Sequence, residues 1–145
     1  MTTFRKVAEG FYVAPQLEPD DFAEAAAMGI KTVINNRPDG EAHDQLSDAE
    51  ARAAAEAHGL AYVYVPVVTG GIFPDHIAEM KEAIDSHDGP FVAYCRSGTR
   101  SCHLWALVEA VDEDPDRLIE AAATAGYDLF AMRPFLKEIH ARGGS

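Results

Sequence analysis

The feature that most constrains the fold of this chain is an alternation. Short runs rich in β-branched and aromatic residues take turns with helix-length segments that end on glycine. FYVA (11–14), IKTVIN (30–35), the run from Leu60 to Val67 and PFVAYC (90–95) read as strands. Between them, Pro19 to Met28 reads as a helix closed by Gly29. Ser47-Asp48-Ala49-Glu50 is a capping-box pattern that opens an alanine-rich helix stopping at Gly59, and Asp75 to Ser86 is amphipathic with helical spacing. Helices are also expected from Ser101 to Val111, from the Asp114-Pro115 cap to about Gly126, and from about Asp128 to Arg142. This order predicts an α/β fold with a mainly parallel central sheet of four to five strands flanked by helices. Ligands of such sheets bind beyond the carboxyl ends of the strands, so the loops after Asn35, Val67 and Cys95 are expected to meet at one site.

No repeat, low-complexity tract or linker interrupts the 145 residues, and a single domain over 1–145 is expected. Twelve basic against 24 acidic residues leave a net charge of −12, which argues against nucleic acid or an anionic membrane as partner. The start, MTTFRKVAEGF, has no apolar leader pattern. The longest apolar run, Leu60 to Val68, contains Pro66 and is too short to cross a bilayer. With only Cys95 and Cys102, badly placed for a relaxed disulfide, a reduced cytoplasmic setting is expected. The six histidines show no metal-ligand spacing, and there is no nucleotide-binding glycine motif, so no metal and no cofactor are implied.

AYCRSGTRSCHLW (93–105) concentrates chemistry at the joint between the fourth strand and the next helix. Helix N-termini, backbone N–H groups and cations all stabilise a thiolate, and Cys95 is expected to have all three. Arg96 and Arg100 supply charge. Gly98 lets the backbone curl its amides inward, and Ser97, Thr99 and Ser101 can donate to a thiolate, a persulfide or an oxyanion. Cys95 is therefore the expected nucleophile, flanked by Arg96 and Arg100. Cys102, beside Leu104 and Trp105, reads as core packing.

CRSGTR (95–100) resembles the active-site loop of single-domain rhodaneses, which carry a persulfide on the cysteine. Over about Phe11 to Glu109 the chain is similar to small bacterial sulfurtransferases that hold this loop on a dual-specificity-phosphatase-like fold. These occur alone or fused to a persulfide dioxygenase, as in the β-lactamase hydrolase-like protein. The likeness rests on VINNRPDGE (33–41), the 45–50 capping segment, YVPVVTGGI (64–72) and AYCRSGTRSCHLWAL (93–107). The resemblance implies a protein tyrosine/dual-specificity-phosphatase-like sheet, Cys95 as sulfur carrier, the 96–101 backbone as cradle and Arg100 as clamp. It implies a small anionic sulfur donor such as thiosulfate or glutathione persulfide, a thiol or cyanide acceptor, and a persulfide dioxygenase as partner.

A phosphatase is the main alternative. Tyrosine phosphatases place five residues between cysteine and arginine; here that arginine position is Ser101, and Arg100 closes a ring one residue shorter. They commonly have histidine where this chain has Tyr94. They also need an aspartic acid after the strand that VYVPVV resembles, where Val68 and Thr69 stand; Asp75 is the nearest substitute and reads as the start of a helix. Sulfur transfer needs no such acid, because sulfite leaves readily. The loop after Asn35 could add Arg37 to the donor site and Asn36 as a bond to the Cys95 loop. The competing reading pairs Arg37 with Glu41 or Asp39 and uses the asparagines to tie the turn. His103 is expected to pack or face solvent. A third reading is a non-catalytic anion-binding module.

Overall fold

The computed structural model describes residues 3–72 and 74–143. Five strands form one sheet: β1 (Arg5–Ala8), β2 (Phe11–Ala14), β3 (Thr32–Asn35), β4 (Ala61–Tyr64) and β5 (Phe91–Tyr94). They lie in the order β1-β2-β5-β3-β4. Only the β1–β2 pair is antiparallel; the other pairings are parallel, as the alternating pattern predicts. The register places Ala14, Tyr94, Asn35 and Tyr64 in one row, so four chain segments leave the sheet at the same edge.

Six helices cover the sheet: α1 (Pro19–Ala27), α2 (Asp48–Ala57), α3 (Pro74–Asp85), α4 (Thr99–Glu109), α5 (Pro115–Thr124) and α6 (Arg133–Gly143), the last preceded by a 3-10 turn at Phe130–Met132. Strand side chains alternate between two cores. Val33, Val92 and Tyr94 pack with Leu17, Phe22 and Ala55 around α1 and α2. Val13, Ile34 and Ala93 pack with Met80, Leu104, Leu118 and Leu136 around α3 to α6. Both of these faces are filled, which explains why every residue of β3 and β5 is buried.

Local chemistry sets the boundaries. Ser47 and Glu50 form the expected capping box at α2, with Ser47 Oγ accepting from the Glu50 amide at 3.1 Å. Asp114 caps α5 ahead of Pro115. The strand expected over Leu60 to Val67 is regular only over Ala61–Tyr64, and Pro66 falls at a position whose nitrogen is turned away from β3. Val65 and Val67 still donate to Asn35 and Asn36 carbonyls, carrying the pairing past the sheet edge. β1 was not evident in the sequence: RKVA is short and half polar, and it lies at the edge of the sheet, paired antiparallel with β2 alone. The last expected helix is a 3-10 turn followed by α6.

Candidate active site

β5 delivers Cys95 to the sheet edge and α4 begins four residues later. The helix starts earlier than the sequence indicates, at Thr99 in place of Ser101, because Gly98 is its N-cap, with φ +95. Thr99, Arg100 and Ser101 therefore belong to the first helical turn, ahead of the first helical bond from Cys102 N–H to Gly98 O. The Gly98 amide donates to Cys95 Sγ at 3.1 Å, and the sulfur is fully buried. A Cβ on Gly98 would overlap Tyr127 Oη, which itself donates to Ser97 O at 3.2 Å. The loop is thus braced from beneath by a tyrosine that the sequence did not single out.

Arg100 is buried and its guanidinium is tightly held. Nη1 donates to Glu41 Oε2 at 2.6 Å and to Val67 O at 2.8 Å, and Nη2 donates to Glu41 Oε1 at 2.9 Å. Of its five N–H donors, three are thereby engaged. The hydrogen bond to Glu41 raises the Arg100 pKa above the ordinary range, and interaction with Cys95 adds to this, so the guanidinium serves both groups. Arg37 donates from Nε to Glu41 at 3.0 Å and from Nη1 to Gln16 at 3.0 Å. Glu41 therefore bridges two buried arginines, and the bond from Arg100, with a second from Arg37, holds its carboxyl below the usual range. Arg37 is a support for Glu41 in this arrangement.

Ser101, in the arginine position of a longer ring, is fully buried, and its hydroxyl donates to Asn36 Oδ1 at 2.8 Å. Asn36 in turn donates to Val65 O at 2.9 Å. The loops after Asn35, Val67 and Cys95 are joined here as the strand order predicts, and Asn36 bonds to the helix that follows the Cys95 loop. Of the loop hydroxyls, Ser97 and Thr99 are exposed and bonded to each other at 3.0 Å. Arg96 is exposed at the mouth of the site. Asp75 lies in the first turn of α3, exposed to solvent, as its reading as a helix start implies. Cys102 is packed in the core, and burial pushes its thiol up to about 12. Tyr94 turns into the α1–α2 core, where its hydroxyl is buried with no hydrogen-bond partner among the described residues. His103 is half-buried on the wall of a groove beside the loop, and desolvation lowers its pKa.

The family model of the beta-lactamase hydrolase-like protein, phosphatase-like domain, matches residues 3–112. The chain belongs to this family. It is 36% identical over 133 residues to the beta-lactamase hydrolase-like protein of Xylella fastidiosa strain Temecula1, covering 90% of this chain and 31% of that protein. The chain thus spans about a third of the length of the curated relatives it matches. Among solved structures, a protein of Neisseria meningitidis named a "putative phosphatase" is 34% identical, with a TM-score of 0.83 over 93% of this chain and 96% of that one. The phosphatase PTPMT1 in complex with PI(5)P is 15% identical, with a TM-score of 0.75 over 97% and 96%, which shows a shared fold. The phosphatase-like architecture of the family is thereby shown. The activity that these relatives' names carry is phosphatase activity, and none of the names refers to sulfur transfer.

Proposed function

We propose that the protein is a cysteine-dependent sulfurtransferase on a phosphatase scaffold, with the covalent intermediate on Cys95. The observation that carries this reading is the size of the ring. Arg100 closes the loop with four residues between it and Cys95, and the following side chain, Ser101, is bonded away to Asn36. A ring closed at Arg100 suits one added sulfur atom on Cys95. Glu41, the carboxylate bonded to Arg100, is held ionised and so is a poor proton donor near neutral pH.

In the first half-reaction the Cys95 thiolate attacks the outer sulfur of thiosulfate. The S–S bond of the donor breaks, sulfite leaves with its electron pair, and a Cys95 persulfide remains. In the second half-reaction the thiolate of an acceptor takes the outer sulfur, giving a new persulfide and restoring the Cys95 thiolate; cyanide as acceptor gives thiocyanate. The charge of Arg100, the exposed Arg96 and the amides of residues 97–101 hold the anionic donor and the persulfide. A persulfide dioxygenase that consumes the product persulfide is the partner class in this proposal.

The second reading is dephosphorylation through a Cys95 phosphocysteine. The family description and the name of the Neisseria relative favour it, and by name they favour it over sulfur transfer. One experiment separates the two. Reduced protein is treated with thiosulfate or glutathione persulfide and weighed intact, beside an aryl phosphate turnover assay. One added sulfur, absent in Cys95→Ser, together with background phosphatase rates, is the expected result. Cys95-dependent aryl phosphate hydrolysis with no added sulfur would replace the first reading by the second.

A further inference from the structure

A groove of about 640 Å³ opens directly beside the Cys95 loop. One end is polar, walled by Arg96, Ser97, Thr99 and Arg100. The remaining wall is mainly apolar, with Ile72, Ile77, Leu107, Phe135 and Ile139 from the approach to α3 and from α3, α4 and α6, interrupted by His103 and the Glu138–Arg142 pair. This volume is in the range of small-molecule sites. It is far more than thiosulfate or inorganic phosphate would fill.

Two features of the groove point to its occupant. Phe135 is 62% exposed on the groove wall, a large apolar side chain left uncovered beside other apolar residues. At the polar end the Arg96 guanidinium is exposed and, among the described residues, engages no acid. The acid on the groove wall, Glu138, is paired with Arg142 at 2.6 Å, which leaves Arg96 as the open charge. An uncompensated cation on the Cys95 loop and an uncovered apolar wall along the same groove complement a molecule with an anionic head and an apolar body.

We propose that the sulfur donor taken by this site is an organic anion, a thiosulfonate or persulfide bearing an aryl or branched alkyl group. The sulfane sulfur is directed at Cys95 and the carbon body lies along α4 and α6. This rests on the reading of Cys95 as the sulfur-carrying nucleophile. With a thiosulfonate, Cys95 takes the terminal sulfur, the S–S bond breaks, and the organic sulfinate leaves with the electron pair. The wall supplied by α6 is outside the 3–112 segment matched by the family model, so this selectivity belongs to the C-terminal part of the chain.

The test separates binding from chemistry. Reduced full-length protein is titrated calorimetrically with benzenesulfonate and with methanesulfonate, neither of which carries a transferable sulfur. Benzenesulfonate is expected to bind at least about tenfold tighter, a difference of about 1.4 kcal/mol. Phe135→Glu is expected to remove most of that preference, with both sulfonates weakened by the added negative charge; Ile139→Ala is expected to reduce it, and melting curves check that both variants are folded. In a second arm, benzenethiosulfonate and methanethiosulfonate are compared as donors by sulfur loading on Cys95, the aryl compound being expected to show the lower KM. Equal affinity for the two sulfonates, or a preference untouched by both variants, overturns the assignment of the groove. A self-associated protein that Phe135→Glu renders monomeric in sedimentation overturns it too, since the groove would then be an interface between copies. A clear aryl preference with no sulfur loaded by either thiosulfonate keeps the groove as the seat of an apolar-bodied anion and overturns sulfur transfer.

Discussion

Gly98 is the residue on which the geometry of the loop most directly depends, and Gly98→Ala gives a quantitative test of that. Its φ of +95 is a left-handed conformation, in which a Cβ costs about 1–2 kcal/mol. The added Cβ would also overlap Tyr127 Oη, lie 2.9 Å from Tyr127 Cζ and 3.2 Å from Ala14 O, in a region where Tyr127 is buried. Overpacking of this kind costs about 1–3 kcal/mol. The sum is about 2–5 kcal/mol, or a fall in melting temperature of roughly 5–20 °C for a domain of this size. Tyr127→Phe alone loses one long hydrogen bond to Ser97 O, about 0.5–1.5 kcal/mol. In the double variant the Oη overlap is gone and the backbone strain remains. The two substitutions together should therefore cost about 1–2 kcal/mol less than their sum, measured by urea unfolding as a double-mutant cycle. Additivity within about 0.5 kcal/mol would show that Tyr127 does not brace the loop, and a loss under about 0.5 kcal/mol in Gly98→Ala would refute the whole argument.

Three further outcomes are expected. Glu41 has a folded pKa below the ordinary 4.5, so the stability it contributes is full above pH 4.5 and is lost as the pH falls through the folded value. Urea midpoints should drop on acidification in the wild type and drop less in Glu41→Gln; an unchanged pH slope in the variant would remove Glu41 from the account. Ser101→Ala leaves Asn36 Oδ1 buried without its donor and should cost about 1–3 kcal/mol, with the rate of sulfur loading on Cys95 little changed. A large loss of rate at unchanged stability would place the Ser101 hydroxyl at the thiol instead. Tyr94→Phe removes a buried hydroxyl that has no partner among the described residues and should raise the unfolding free energy by about 1 kcal/mol; a comparable loss would mean that a bridging water satisfies the hydroxyl.

The parts of the fold that sequence reveals are those determined locally. The Ser47–Glu50 box, the Asp114-Pro115 cap and the strands β3 and β5 each depend on residues within a few positions, and each is found within the segment that the sequence marks for it. What sequence conceals depends on distant partners. β1 is a strand because β2 pairs with it, and RKVA alone has too little apolar content to announce this. The helix after Cys95 begins two residues ahead of its expected start because a glycine N-cap has no side-chain signature comparable to Ser47. At the site, Cys95 and the arginines are plain from spacing, and Glu41 is legible as a partner for Arg37. Its bidentate bond to Arg100, 59 positions away, has no local trace. The same holds for Tyr127 beneath Gly98 and for the wall that α6 contributes to the groove.

These distant contacts divide the site into two parts of different character. The anion end is built from groups locked to one another, all buried except Glu41: Ser101 to Asn36, Arg100 to Val67 and Glu41, and Gly98 against Tyr127. A side chain added or lost there is transmitted to the core through these contacts, and substitutions should register as lost stability before they register as altered selectivity. The groove end is lined by side chains such as Phe135 that solvent already reaches. Exchanges there cost little stability, so the body of the substrate can change while the chemistry at Cys95 stays fixed. In the proposed function, selectivity among sulfur donors should therefore respond to substitutions on α6 that leave the unfolding free energy within about 0.5 kcal/mol of the wild type. Variants of Phe135 that alter donor preference only in step with lost stability would count against this division.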